Sequence, residues 1–129
     1  MDGELGTIVV VDDERDILEV VSDALREEGF SVVCMDNPCY VVRVAERRKP
    51  SVFFLDIVLP DINGIALAAQ LRDGGFRDTP MIAMSSSPIM LRAARESNLF
   101  QATLSKPFDL SGFLDCVEHF AQPAEAVSA

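Results

Sequence analysis

Three short apolar runs constrain this chain more than any other feature: Ile8-Val9-Val10-Val11, Val52-Phe53-Phe54-Leu55 and Met81-Ile82-Ala83-Met84. None alternates apolar with polar, so each predicts a strand buried on both faces, the condition of a parallel sheet covered by helices. Two weaker strands are expected at Ser31 to Met35 and Ala102 to Leu104. Helical patterns fill the intervals. Leu18, Val21 and Leu25 stack at helical spacing, with Gly29 as the stop. Asn37-Pro38 reads as an N-cap with proline at the first helical position. The stripe Val41, Val42, Ala45 and a basic end at Arg47-Arg48-Lys49-Pro50 follow it. Ile65 to Leu71 ends at Gly74-Gly75, and Met90, Ala93 and Ala94 mark a shorter helix. Asp109 caps a last one carrying Leu110, Phe113, Leu114 and Val117. Strand then helix, five times over, predicts a doubly wound α/β sandwich with right-handed crossovers.

At 129 residues the expectation is a single core. We expect an N-terminal tail over 1–6, a folded domain over 7–121, and over 122–129 a C-terminal tail or the start of a linker. Three cysteines (Cys34, Cys39, Cys116) with no C-x-x-C spacing indicate neither a disulfide framework nor a zinc site. The longest apolar run is five residues, Ile65 to Ala69, too short to span a membrane. The acidic start Met1-Asp2-Gly3-Glu4 does not read as a secretory signal, so a cytoplasmic location is expected. A net charge of −10 opposes contact with phosphate backbones, which excludes direct nucleic-acid binding as a leading function.

In open α/β sheets, ligands bind beyond the carboxyl ends of the strands, so the residues that end each apolar run matter most. Asp12 and Asp13 follow the first. Asp56 ends the third strand, Ser85 the fourth, and Lys106-Pro107 follows the fifth. Taken singly, each has a structural reading. Asp-Asp-Glu can open a helix, Asp56 can open a turn, Ser85 can belong to a cap, and a lysine before proline is usually surface. Together they form a set with one chemistry. Clustered carboxylates need a cation, and hard oxygen donors suit Mg²⁺. Lysine and serine suit phosphoryl oxygens, and an aspartate can be the nucleophile that forms an acyl phosphate.

Val9-Val10-Val11-Asp12-Asp13-Glu14, Phe54-Leu55-Asp56 through Asn63-Gly64, Ala83-Met84-Ser85-Ser86 and Leu104-Ser105-Lys106-Pro107-Phe108 resemble receiver domains of two-component response regulators. The likeness runs from about Thr7 to Phe120. It implies a flavodoxin-like (βα)5 sandwich with five parallel strands in the order 2-1-3-4-5. It also implies a phosphoryl group received from a sensor histidine kinase or a histidine phosphotransfer protein, and an effector domain or output protein downstream. By position, Asp56 is the implied phosphoacceptor, Ser85 the switch hydroxyl and Lys106 the phosphate-contacting lysine. Asp12, Asp13, Asp56 and the main-chain carbonyl of Val58 are the implied Mg²⁺ shell. Such a chain catalyses only its own phosphorylation and dephosphorylation.

Two positions depart from the family's pattern. The aromatic residue usual three before the lysine is Thr103, and the small Gly-Ala pair before the fifth strand is Leu99-Phe100. Both concern signal output. Two other readings stay open at this point. A receiver-fold adaptor that takes no phosphate would typically lack one of these acids or the lysine. Haloacid-dehalogenase-like phosphatases carry D-x-D, whereas Glu14 lies two after Asp12 and Val58 two after Asp56. The first helix also carries a second stripe, Ile17, Val20 and Ala24, which is expected either to be buried or to meet the phosphodonor.

Overall fold

A computed structural model of the chain describes residues 5–121. The elements run β1 (Thr7–Val11), α1 (Arg15–Glu27), β2 (Ser31–Met35), a 3-10 turn (Pro38–Tyr40), α2 (Val41–Arg48), β3 (Val52–Asp56), α3 (Gly64–Asp73), β4 (Met81–Ser85), α4 (Pro88–Ser97), β5 (Ala102–Ser105) and α5 (Leu110–Phe120). All strands are parallel, in the order β2-β1-β3-β4-β5. The (βα)5 sandwich expected from the strand pattern is therefore the observed one. Of the expected tails, 1–4 and 122–129 lie outside the described residues. Among the described residues, no helix is long and apolar enough to cross a membrane.

The apolar runs do not alternate because both faces of the central strands are covered. Ile8, Val10, Phe54, Ile82 and Met84 point to the side of α1 and α5. Their neighbours Val9, Val11, Phe53, Leu55 and Met81 meet α2 and α3 on the other side. Phe54 packs on Phe113 of α5 with ring centroids 4.4 Å apart. Truncating a wholly buried ring of this kind typically costs about 3–5 kcal/mol. On α1, Leu18, Val21 and Leu25 face the sheet. Gly29 ends the helix at φ +103°, where its N–H reaches the Arg26 carbonyl and the next N–H, of Phe30, reaches Leu25.

Several expectations about helix faces need correction. The second stripe of α1 splits: Val20 is 54% exposed, Ile17 half-buried and Ala24 buried. On α4 Ala94 is buried as expected, but its buried partner is Leu91 rather than Met90 or Ala93. Leu110, expected in the core at the start of α5, lies exposed. Asn37-Pro38 opens the 3-10 turn, with the Asn37 side chain accepting from Cys39 N–H, and α2 begins only at Val41. In each case a helical period establishes that an apolar face exists, while packing against the sheet sets the rotation about the helix axis.

Candidate functional site

Strand register collects the chemistry. Val11 pairs with Leu55, Asp56 with Met84 and Ser85 with Ser105, so the carboxyl ends of β1, β3, β4 and β5 finish level with one another. Backbone bonds continue past the last residues: Asp12 N–H to Met35, Ile57 N–H to Met84, and Lys106 N–H to Ser85 carbonyl. Asp12, Asp56 and Ser85 are all buried at this edge. The loop after β3 is fixed from behind by α3. The Asn63 side chain caps Ala66 N–H, and Gly64 N–H donates to Ile57 carbonyl at 2.7 Å. A Cβ on Gly64 would collide with the Asp56 carbonyl oxygen and lie 2.8 Å from Ile57 Cα, so only glycine allows α3 to start this close to β3.

At the centre stands the Lys106 ammonium. It lies 2.7 Å from Asp12 Oδ2, 2.9 Å from Asp56 Oδ2 and 2.9 Å from Glu14 Oε1. Each buried aspartate divides its oxygens. Asp12 Oδ1 accepts from Glu14 N–H at 2.8 Å and Asp56 Oδ1 from Val58 N–H at 3.0 Å, which leaves both Oδ2 atoms facing the ammonium. Lys106 makes directed hydrogen bonds to Asp56 and Glu14. Toward Asp12 Oδ2 the contact is one of charge at short range, and that fully buried oxygen has no directed hydrogen bond among the described residues.

The electrostatics follow. Burial pulls the lysine's pKa down, but the close carboxylates of Asp12, Asp56 and Glu14 outweigh that and hold it above the ordinary value. Desolvation pushes the Asp12 carboxyl up and the Asp56 charge adds to the push; the adjacent Lys106 ammonium and the bond from Glu14 N–H oppose it. Carboxylate oxygens of Asp12, Asp13, Glu14 and Asp56 lie within 4.8 Å of one another and could hold a cation. Three carboxylates around one ammonium leave two negative charges in excess, the charge of one divalent ion. A cleft of about 280 Å³ opens here, lined by Asp13, Glu14, Asp56, Val58, Ser85, Ser86 and Lys106.

All the residues singled out at strand ends therefore meet in one place. Asp13 is exposed at the mouth, and Val58 presents its side chain to solvent at 61% exposure. Ser85 Oγ accepts from Ser87 N–H at 3.0 Å, and the cap of α4 is Ser87, so the two readings of the serine run belong to different serines. Glu14 was not among the predicted site residues. Its signal was present, a third acid directly after Asp12-Asp13, but its partner is 92 positions away. The exposed His119 on α5 does not line this cleft. A second, apolar groove of about 230 Å³ runs beside α1, lined by Ile17, Val20, Val21, Phe108, Leu110 and Asp16.

The family model for the response regulator receiver domain matches residues 8–118. Among curated proteins, the regulatory protein VanRc of Enterococcus gallinarum is 31% identical over 111 residues, 79% of this chain and 44% of that protein. The probable transcriptional regulatory protein TcrX of Mycobacterium tuberculosis is 39% identical over 71 residues, 55% of this chain and 30% of TcrX. The chain spans between about a quarter and half the length of the curated relatives it matches. The BeF3-activated N-terminal receiver domain of Klebsiella pneumoniae RstA superposes with a TM-score of 0.80 at 23% identity, covering 90% of this chain and 98% of that one.

Proposed function

This chain belongs to the response regulator receiver-domain family, and on that premise we propose that Asp56 accepts a phosphoryl group from a phosphohistidine, with Mg²⁺ required. The observation that carries the reading is the contact of Lys106 Nζ with Asp56 Oδ2 at 2.9 Å, inside an acidic cleft at the strand ends. The residues fit Mg²⁺. Their donors are hard oxygens, Asp12 Oδ2 is buried without a directed hydrogen bond, and the local charge calls for a dication. Asp12, Asp13, Asp56 and the Val58 carbonyl would hold the ion, which when bound supplies charge neutralisation between carboxylate and phosphoryl oxygens.

A carboxylate oxygen of Asp56 attacks phosphorus, forming the O–P bond as the donor's P–N bond breaks and its imidazole leaves with the electron pair. Lys106 meets the incoming phosphoryl oxygens as a point charge. Ser85, at the next strand end, offers its hydroxyl as a hydrogen-bond donor. Attack by water on the same phosphorus returns Asp56 as a carboxylate and releases phosphate. The protein thus turns over only its own phosphoryl group, and the phosphatase reading lapses with family membership. A sensor kinase or phosphotransfer protein docks on the apolar groove at Ile17 and Val20. An effector domain or output protein reads the result, in a cytoplasmic setting.

Incubation with Mg²⁺ and acetyl phosphate, followed by intact-mass measurement, tests the assignment. The expected result is a gain of one phosphoryl group that EDTA and Asp56→Asn both abolish. Normal labelling of Asp56→Asn would overturn it.

A further inference from the structure

Lys106 already occupies the place that an incoming cation needs. Asp12 and Asp56 each spend one oxygen on a backbone N–H, and the ammonium holds the other oxygen of both. A dication and an ammonium cannot share those two Oδ2 atoms at such distances without strong repulsion. When a metal binds, the lysine charge must therefore move. Its route is limited. The Lys106 backbone is pinned to β4 through Ser85 carbonyl at 2.9 Å, and its side chain is only 8% exposed.

Among the described residues Glu14 offers the one other carboxylate already in contact, at 2.9 Å, and its side chain is 59% exposed. It is thus free to follow the ammonium, as the buried aspartates are not. We propose that Glu14 is a positioning residue: it retains Lys106 when Asp12 and Asp56 turn to the metal, and so keeps the ammonium over Asp56 for the phosphoryl oxygens. The inference rests on the reading of this cleft as a Mg²⁺ site. It assigns Glu14 a part in making room for the ion rather than in ligating it.

The test is a double-mutant cycle on Mg²⁺ affinity, read by isothermal titration calorimetry with no phosphodonor present. In an otherwise native chain, Glu14→Gln should weaken Mg²⁺ binding about 3- to 10-fold, the range expected for residues sharing one ion-pair network. In a Lys106→Met background, where there is no ammonium to hold, the same change should weaken binding less than about twofold, as for a screened exposed charge. Equal losses in both backgrounds would make Glu14 a ligand and overturn the proposal, as would no loss in the native background.

Should Lys106→Met fail to fold, the Lys106 ammonium can be followed by ¹⁵N NMR in Mg²⁺-saturated protein. Its exchange-protected signal should persist in the native chain and disappear in Glu14→Gln; persistence in both refutes the tether. Absence of Mg²⁺ binding in the native chain would overturn the metal reading and this inference together. Binding with additive losses would overturn this inference alone.

Discussion

Replacing Arg72 by methionine should destabilise the fold by about 2–4 kcal/mol and leave phosphorylation of Asp56 intact. Arg72 stands near the end of α3, and its guanidinium gathers two loops. Nη1 donates to the carbonyls of Phe76 at 2.8 Å, Arg77 at 3.0 Å and Thr79 at 2.7 Å. Nη2 donates to the Leu99 carbonyl at 2.6 Å and to Gln101 Oε1 at 3.0 Å. Gln101 Oε1 in turn accepts from Met81 N–H at 2.8 Å, at the first residue of β4. Nη1 has two hydrogens for three acceptors, so four N–H groups serve five contacts. The loops border solvent, and the released carbonyls can be hydrated. Each lost bond is therefore weighted at about 0.5–1 kcal/mol rather than at the full penalty of a buried orphan.

Methionine keeps the stem's packing but none of the donors. Lysine presents three donors from one point and cannot bridge both loops, so Arg72→Lys should recover only part of the loss. For a domain of this size the methionine variant should melt about 10 °C lower, at roughly 3–5 °C per kcal/mol. Urea titration should show a lower midpoint with an unchanged slope. The five residues of β4 and the four of β5 separate these loops from the cleft by about 13–17 Å, so acetyl phosphate labelling of the folded variant should match the native chain. A loss of under about 0.5 kcal/mol, within the usual scatter of surface substitutions, would refute the reasoning. So would a folded variant that no longer takes the phosphoryl group.

Other outcomes follow from single side chains. Val58 is exposed beside the acceptor and cannot orient a water by hydrogen bonding, so Val58→Asn should speed loss of the phosphoryl group; an equal or slower rate, measured by mass against time, would refute this. Thr103 Oγ1 accepts from Arg95 Nη1 at 3.1 Å in an exposed contact, worth under about 1 kcal/mol. Thr103→Ala should therefore keep most phosphorylation-dependent partner binding or dimerisation and Ser85→Ala should lose most of it, whereas equal losses would make Thr103 a switch element. At α5, the Gly112 N–H and then the Ser111 hydroxyl hold the Asp109 carboxyl below its ordinary 3.8. A depressed carboxylate stabilises above that value and ceases to do so as pH falls through its folded pKa. The melting-temperature gap between the native chain and Asp109→Ala should stay constant from pH 7 to 5 and close below 3.8; a gap independent of pH would refute the cap.

Much of this protein was legible in its sequence, for a reason specific to the fold. A parallel strand buried on both faces writes itself as an unbroken apolar run, and alternation with helices forces every strand to point the same way. Whatever follows each run must then emerge at one edge, however far apart in sequence. Asp12, Asp56, Ser85 and Lys106 could be gathered from spacing alone on that ground. The cap of α5 at Asp109 is equally local, because a side-chain oxygen need reach only two or three residues along its own chain.

Tertiary structure alone decided the rest. Helical period cannot say that Val20 turns to solvent while Ala24, one turn on, is buried, because the crossing of α1 over the sheet sets that rotation. Nor could it choose Leu91 over Met90 on α4. The reach of Arg72 to Leu99 depends on where two loops happen to pass. The partnership of Glu14 with Lys106 depends on strand order, on the register of β5 and on a flexible side chain finding the nearest opposite charge. Local pattern determines which elements form and which ends carry chemistry. The polar tips of long side chains are placed only by the assembled fold, since their contacts join residues whose sequence neighbours carry no trace of one another.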